Sequence, residues 1–168
     1  EQTVLPPHAR RYTNTYWNRQ HLSPVSQLFL YGFGESLPHL RHHNMFFGDF
    51  EFDRLFKTTA FDPDAPAFYA SLPQRTDASV IRNATHAELV FVLVPMPYDI
   101  DVDANLLSRV EAALLRELQR WSDAPETVLN VTYRRRFGSV EFADQYRAFR
   151  GNAFGLANTP SQSLFLKP

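Results

Sequence analysis

The sequence predicts an α+β domain: one mixed or antiparallel sheet of about five strands with helices packed on it. Three observations carry this. Leu89 to Val94 is continuously apolar and β-branched at Val90, Val92 and Val94, the pattern of a strand buried on both faces. Leu107, Val110, Leu114, Leu118 and Trp121 recur at spacings of 3, 4, 4 and 3, which is one face of a helix. The elements follow one another as β-β-α-β-β-α-β-α, an order that points to an α+β layer.

Taken in order, residues 1–23 are polar and basic-aromatic, suited to wrapping the surface or forming a short helix. Gln27 to Phe33 reads as a strand closed by Gly32 and Gly34, and Arg41 to Phe47 as a second. Asp49 caps a short helix with Phe52, Leu55 and Phe56 on its apolar side. Asp62-Pro63-Asp64-Ala65-Pro66 is a turn, Ala67 to Leu72 a third strand, and Pro73 to Thr85 a loop. Pro95 and Pro97 end the apolar strand. Asp101 or Asp103 caps the long helix. Thr127 to Arg134 alternates, with Leu129, Val131 and Tyr133 on one face and Asn130, Thr132 and Arg134 on a wet one. Ser139 to Phe149 is a helix burying Phe142, Tyr146 and Phe149, with Gly151 as its C-terminal cap. Thr159-Pro160-x-Gln162 resembles a helix start.

Composition narrows the function. The 168 residues suffice for one domain with a core of its own. A net charge of −1 gives no basic excess for nucleic acid. The absence of cysteine excludes disulfides, thiolate metal sites and Cys catalysis. No apolar run approaches a membrane span, and the N-terminus does not read as a signal peptide. Fifteen Phe among 168 residues suit a large apolar core or an apolar ligand.

Few patterns point to chemistry. Gly32-Phe33-Gly34 supplies two glycines of a dinucleotide loop, but position 37 is Leu, so no dinucleotide fingerprint is present. His42 and His43, adjacent on a strand, face opposite ways and do not chelate one metal, and no other spacing suggests a metal site. Asp99-Ile100-Asp101-Val102-Asp103 opens like a calcium loop, yet Ala104 and Val110 stand where Gly and Glu are needed. An acidic helix start explains it better. No nucleophile elbow exists. Arg134-Arg135-Arg136 reads as a solvated strand end, with acidic groups or lipid headgroups at a membrane face as alternative partners.

The C-terminal run is the most telling. Gly151 to Leu166 carries no charge over sixteen residues, yet holds Phe154, Leu156, Leu164, Phe165 and Leu166 among amides and hydroxyls. Its string Gly151-Asn152-Ala153-Phe154-Gly155-Leu156-Ala157-Asn158-Thr159, with Gln162-Ser163 and Phe165-Leu166-Lys167-Pro168, resembles the C-terminal region of the phytoene desaturase family. So do Ser23-Pro24 before Leu28-Phe29-Leu30-Tyr31-Gly32, His42-His43-Asn44-Met45-Phe46-Phe47, Phe68 to Pro73 with Thr76 to Val80, and Leu89 to Pro97. Taken in order these cover about residues 12–168. Ala78, the loop Ile81-Arg82-Asn83-Ala84 and Pro160 depart from the family pattern.

The resemblance implies a flavin-dependent carotenoid oxidoreductase, in which oxidised FAD takes a hydride equivalent from an apolar polyene. It implies that this chain is a single, partial substrate-binding domain, that the dinucleotide-binding domain is absent from it, and that it is inactive alone. A cytoplasmic, peripherally membrane-associated enzyme is expected, with a carotenoid as its partner. Two alternatives stay open: a stand-alone lipid or polyene carrier, and a related flavin enzyme such as a carotenoid ketolase. His43, Asn44, Gly151, Asn152, Gln162 and Phe165 are the expected substrate-binding residues, because the matched segments carry them without an evident packing role. If the domain is partial, one face of the sheet should lack a partner and remain apolar.

Overall fold

The computed structural model describes residues 4–47, 61–81 and 86–163, the side chains at 161 and 163 excepted. The helix expected from Asp49, and Phe165 among the expected binding residues, lie outside the described residues. Five strands form one antiparallel sheet in the order β2-β3-β4-β1-β5. They are β1 (Val25–Phe33), β2 (His43–Phe46), β3 (Phe68–Ser71), β4 (Glu88–Met96) and β5 (Val131–Phe137). The helices are α1 (Asn14–Asn18), α2 (Ala104–Gln119), α3 (Ser139–Tyr146) and the short α4 (Pro160–Ser163).

Period-two alternation divides the sheet into two unlike faces. One face holds Phe29, Tyr31, Phe33, Ala70, Val90, Val92, Val94 and Met96, each at most 2% exposed. α2 packs there through Val110, Leu114 and Leu118, all fully buried. Asp103 begins that helix by accepting the Leu106 N–H at 2.7 Å, as its acidic start predicts. Burial of each large side chain contributes about 1.5–3 kcal/mol, so three aligned residues are enough to seat the helix.

The strand expected at 89–94 differs in two ways. It runs through Pro95 to Met96, because β3 pairs with β4 only as far as Leu93, so the missing proline N–H leaves no β3 carbonyl unmatched. It is also buried on one face only: Leu89, Phe91, Leu93 and Pro95 are half-buried. Trp121, at the end of the expected helical stripe, lies past α2 in a turn, 40% exposed, with its ring edge-on to Phe46.

The alternating strand expected from Thr127 starts instead at Val131 and continues to Phe137. Its register shifts against β1: Gly32 pairs with Tyr133, but Phe33 pairs with Val131. The extra residue, Thr132, inverts the alternation. Val131 therefore lies on the α2 side, Tyr133 turns to the opposite face, and Arg134 and Arg136 turn inward. The arginine run is thus not a freely solvated strand end. Arg134 Nε lies 3.2 Å from Glu111 Oε1, and Arg136 pairs with Glu111 Oε2. Glu111 is 4% exposed on α2 and also accepts the Tyr31 hydroxyl at 3.1 Å. Burial first, and then the neighbouring Glu111 charge, push the Tyr31 phenol well above its ordinary range, so it remains a donor. One carboxylate thus ties the long helix to β1 and to the edge strand β5.

Glu88, 1% exposed at the start of β4, makes a second such knot. It accepts from Leu37 N and Ser36 Oγ at 3.1 Å each, from Arg75 Nη2 at 2.6 Å, and from Gln74 Nε2. Burial alone raises its pKa. The bonds from Arg75, Leu37 and Gln74 together outweigh that and hold it below its ordinary value.

α3 ends at Arg147, which takes the left-handed conformation (φ 56°) expected for Gly151, and Phe149 falls in a separate 3-10 turn. Its aromatic side is not buried: Tyr146 is 69% and Phe149 44% exposed. Phe142 and Tyr146 pack edge-on against Phe137, their centroids 4.9 and 5.8 Å away. Gly151 is required for another reason. Its φ is +68°, and a Cβ there would meet Ser139 O at 2.1 Å.

Three outcomes follow for stability. Glu111→Ala should lower the denaturation free energy by about 2 kcal/mol, measured by urea titration, since it strands the Tyr31 hydroxyl and two arginines that retain contact with water. Gly151→Ala should cost more than about 2 kcal/mol, whereas Gly155→Ala, also at positive φ but with open space around it, should cost about 1 kcal/mol. Glu88 has a folded pKa below its unfolded one, so its contribution is complete above the unfolded value and is lost as pH falls through the folded value. Glu88→Gln should therefore be less stable than the parent at neutral pH, with the difference shrinking below about pH 4.

Candidate functional site

The second face of the sheet is built by the alternate residues of the same strands. Leu28 and Leu30 of β1 stand opposite Leu93 and Phe91 of β4, and Leu93 stands opposite Tyr69 of β3. Gly32 opposite Leu89, and Met45 opposite Tyr69, extend this face along and across the strands. All of these side chains except Gly32 keep part of their surface accessible. Leu28, Leu30, Phe91, Leu93 and Tyr69 are half-buried, and Met45 is 59% exposed. α2 lies on the other side of the sheet. Among the described elements, α3 reaches this side, where Phe142 and Tyr146 meet Phe137, the partner of Leu28. Among the described residues this face is half-covered, and it is not apolar throughout: Arg135 stands opposite Leu30 and Ser71 opposite Phe91. It can hold an elongated apolar molecule by area, at about 25 cal/mol per Å² removed from water.

Polar rings flank this surface at both edges of the sheet. At the β5 side, His86 lies over Gly32: a Cβ on that glycine would sit 2.6 Å from His86 Nδ1. The same nitrogen is 2.6 Å from Thr132 Oγ1, and the His86 ring lies edge-on to Tyr133. At the β2 side, His43 Nδ1 is 2.5 Å from Tyr69 Oη. His42 does not face away from His43, because it precedes β2 in a bend; the two rings stack at 4.1 Å, and His42 Nδ1 is held 2.8 Å from Thr76 Oγ1.

The expected binding residues fall into two separate groups. His43 and Asn44 sit on the edge strand β2. Gly151, Asn152 and Gln162 lie near the start of β1. Asn44 donates to Arg41 O and Ala70 O and accepts the Arg41 N–H, which fixes the entry into β2. Asn152, 6% exposed, donates to Ser23 O at 2.5 Å and accepts from Phe154 N and Gly155 N. Gln162 donates to His21 O and Ala157 O and accepts from His21 N at 2.7 Å. With the Leu22–Leu156 bridge, these amides lace the C-terminal segment to residues 21–23. The uncharged tail thus has a use for its amides within the chain. The residues of the apolar face, and Tyr69 and His86 beside it, are absent from the sequence-derived set. The signal that could have found them is the parity of 28/30 and 91/93, which becomes meaningful once one helix is assigned to the other parity.

The described residues do not fit a dinucleotide. Gly32 and Phe33 are paired inside β1, and Gly34 donates to Asn130 O, so this glycine pair does not open a helix toward a pyrophosphate. Among the described residues no three His, Asp or Glu side chains group as metal ligands, and no helix is long and apolar enough to cross a membrane.

No family model matches the chain. Two curated proteins do. A carotenoid 3,4-desaturase of Haloarcula japonica is 30% identical over 171 aligned positions, which cover all of this chain and 34% of that protein. A zeta-carotene-forming phytoene desaturase of Myxococcus xanthus is 31% identical over 139 positions, covering 78% of this chain and 26% of that protein. The chain thus spans about a third of the length of the first relative. The ordered motifs and the two relatives together place it in the phytoene desaturase family of carotenoid desaturases, matching a segment of their length.

Proposed function

We propose that this chain forms the substrate-holding wall of an FAD-dependent carotenoid desaturase, an oxidoreductase acting on CH–CH bonds. The observation that carries the reading is the half-covered apolar face opposite α2, in a chain whose relatives are named for dehydrogenating carotenoids. A polyene offers almost no hydrogen bonds, so its binding free energy must come from apolar area, and a flat strand-lined surface of Leu and Phe supplies that area in an extended shape. A pleated sheet also resists collapse onto itself, which keeps the surface available when empty. The flavin and the groups that meet the reacting bond belong, on this reading, to other parts of the full-length enzyme; this chain orients the substrate and excludes water. A cytoplasmic enzyme touching the membrane periphery is part of the same proposal, because its substrate would partition into lipid.

The test is a charge on the open face. In the full-length enzyme, Leu93→Glu and Leu30→Glu should each reduce carotenoid desaturation at least tenfold while leaving flavin content and thermal unfolding close to the parent. A charge on the exposed outer side of α2, Ala112→Glu, should leave activity unchanged. Full activity of Leu93→Glu and Leu30→Glu would contradict the proposal. The 168-residue chain alone should bind no flavin and turn over no carotenoid; a yellow, flavin-loaded preparation of it would contradict that part.

A further inference from the structure

Resting on that reading of the apolar face, we propose that the His86 imidazole is the end stop of the wall, the group that sets how far along β1 and β4 a polyene can lie. Leu28 opposite Leu93, and Leu30 opposite Phe91, are two successive steps of that wall, about 7 Å apart along the strands. The third step breaks the pattern. Gly32 stands between Leu89 of β4 and Tyr133 of β5, so the row has side chains on both sides and none in the middle. A glycine there leaves a gap floored by backbone. A hydrocarbon chain lying over Leu30 would run straight on into it.

The gap is plugged from outside the row. His86 precedes β4, and its ring lies over Gly32 so closely that a Cβ there would sit 2.6 Å from Nδ1, 2.9 Å from Cγ and 3.0 Å from Cε1. The missing side chain is thus what admits the ring. The ring is also held in place. Its Nδ1 is 2.6 Å from Oγ1 of Thr132, the extra residue of the β5 bulge, and it lies edge-on to Tyr133 with centroids 6.3 Å apart. The backbone behind it is tied to the end of β1, where Ala87 N donates to Phe33 O at 2.8 Å. A group fixed through both side chain and backbone keeps its position against a flexible hydrocarbon. That position matters because apolar contact is non-directional. Leu and Phe hold a chain without setting its register, and reaction at a defined bond needs the chain to stop at one place. A pinned ring across the wall supplies the stop by bulk alone.

The experiment is equilibrium binding to the full-length, flavin-loaded protein, followed by the absorption of the bound polyene. The probes are the linear hydrocarbons diapophytoene, with thirty carbons, and phytoene, with forty, which share one short chromophore. In His86→Ala the ratio of the two affinities, longer over shorter, should rise roughly fivefold above the parent's, because the added carbons enter the emptied gap. Thr132→Val unties the ring without disturbing the core and should move the ratio in the same direction. His86→Phe restores a ring of similar bulk and should return the ratio to within about twofold of the parent's. An unchanged ratio in both His86→Ala and Thr132→Val, or a rise in His86→Phe equal to that in His86→Ala, would overturn the inference while leaving the apolar wall intact. Failure of the parent to bind either polyene would remove both this inference and the reading beneath it.

Discussion

Every strand of this protein has to satisfy two surfaces at once. Period-two alternation sends successive side chains to opposite faces, so the sequence that builds the core also writes the surface behind it. On the α2 side that surface is closed: Phe29, Val92, Val94 and Leu114 have no accessible area. On the other side the same strands present Leu28, Leu30, Phe91 and Leu93, covered only in part. That second face is apolar at its centre and polar beside it, with Arg135 opposite Leu30 and Ser71 opposite Phe91. The apolar centre, partly covered, is the constraint on which the functional reading depends.

Holding such a sheet open demands rigidity from elsewhere. The buried carboxylates provide it by different routes. Glu111 crosses from helix to sheet and gathers Tyr31, Arg134 and Arg136, which secures the edge strand β5 to the core. Glu88 collects the backbone after β1 and the turn after β3 around the start of β4. Each is costly to bury and is compensated by several donors, so each fixes geometry more than it adds stability. At the other end of the chain the amides of Asn152 and Gln162 fasten the C-terminal segment to the residues leading into β1. The frame is polar and directional; the centre of the surface it supports is neither.

Much of the architecture was legible in the residues. The stripe of α2, its Asp103 cap and the strand cores follow from local periodicity, which both backbone geometry and burial enforce. What local pattern could not carry was long-range. The bulge at Thr132 depends on how β5 meets β1, so a basic tripeptide could suggest an acidic partner but not the inversion that turns Arg134 and Arg136 inward toward Glu111. The one-sided burial of β4 depends on α2 packing one parity and not the other. The binding candidates suffered the same limitation. Asn152 and Gln162 look like ligand groups in a list of residues, yet they bond backbone atoms, some close in sequence and others more than a hundred residues away, at Ser23 and His21. His43 was visible, but its partner Tyr69 is brought to it only by the β2–β3 pairing.

The most direct test of the open face is site-specific photo-crosslinking in the full-length protein. A benzophenone side chain replacing Leu93 should, on illumination with bound carotenoid, give a covalent polyene adduct at that position. The same group at Ala112, on the outer side of α2, should give none. Adducts at Ala112 with none at Leu93 would show that the polyene lies elsewhere and would contradict the account.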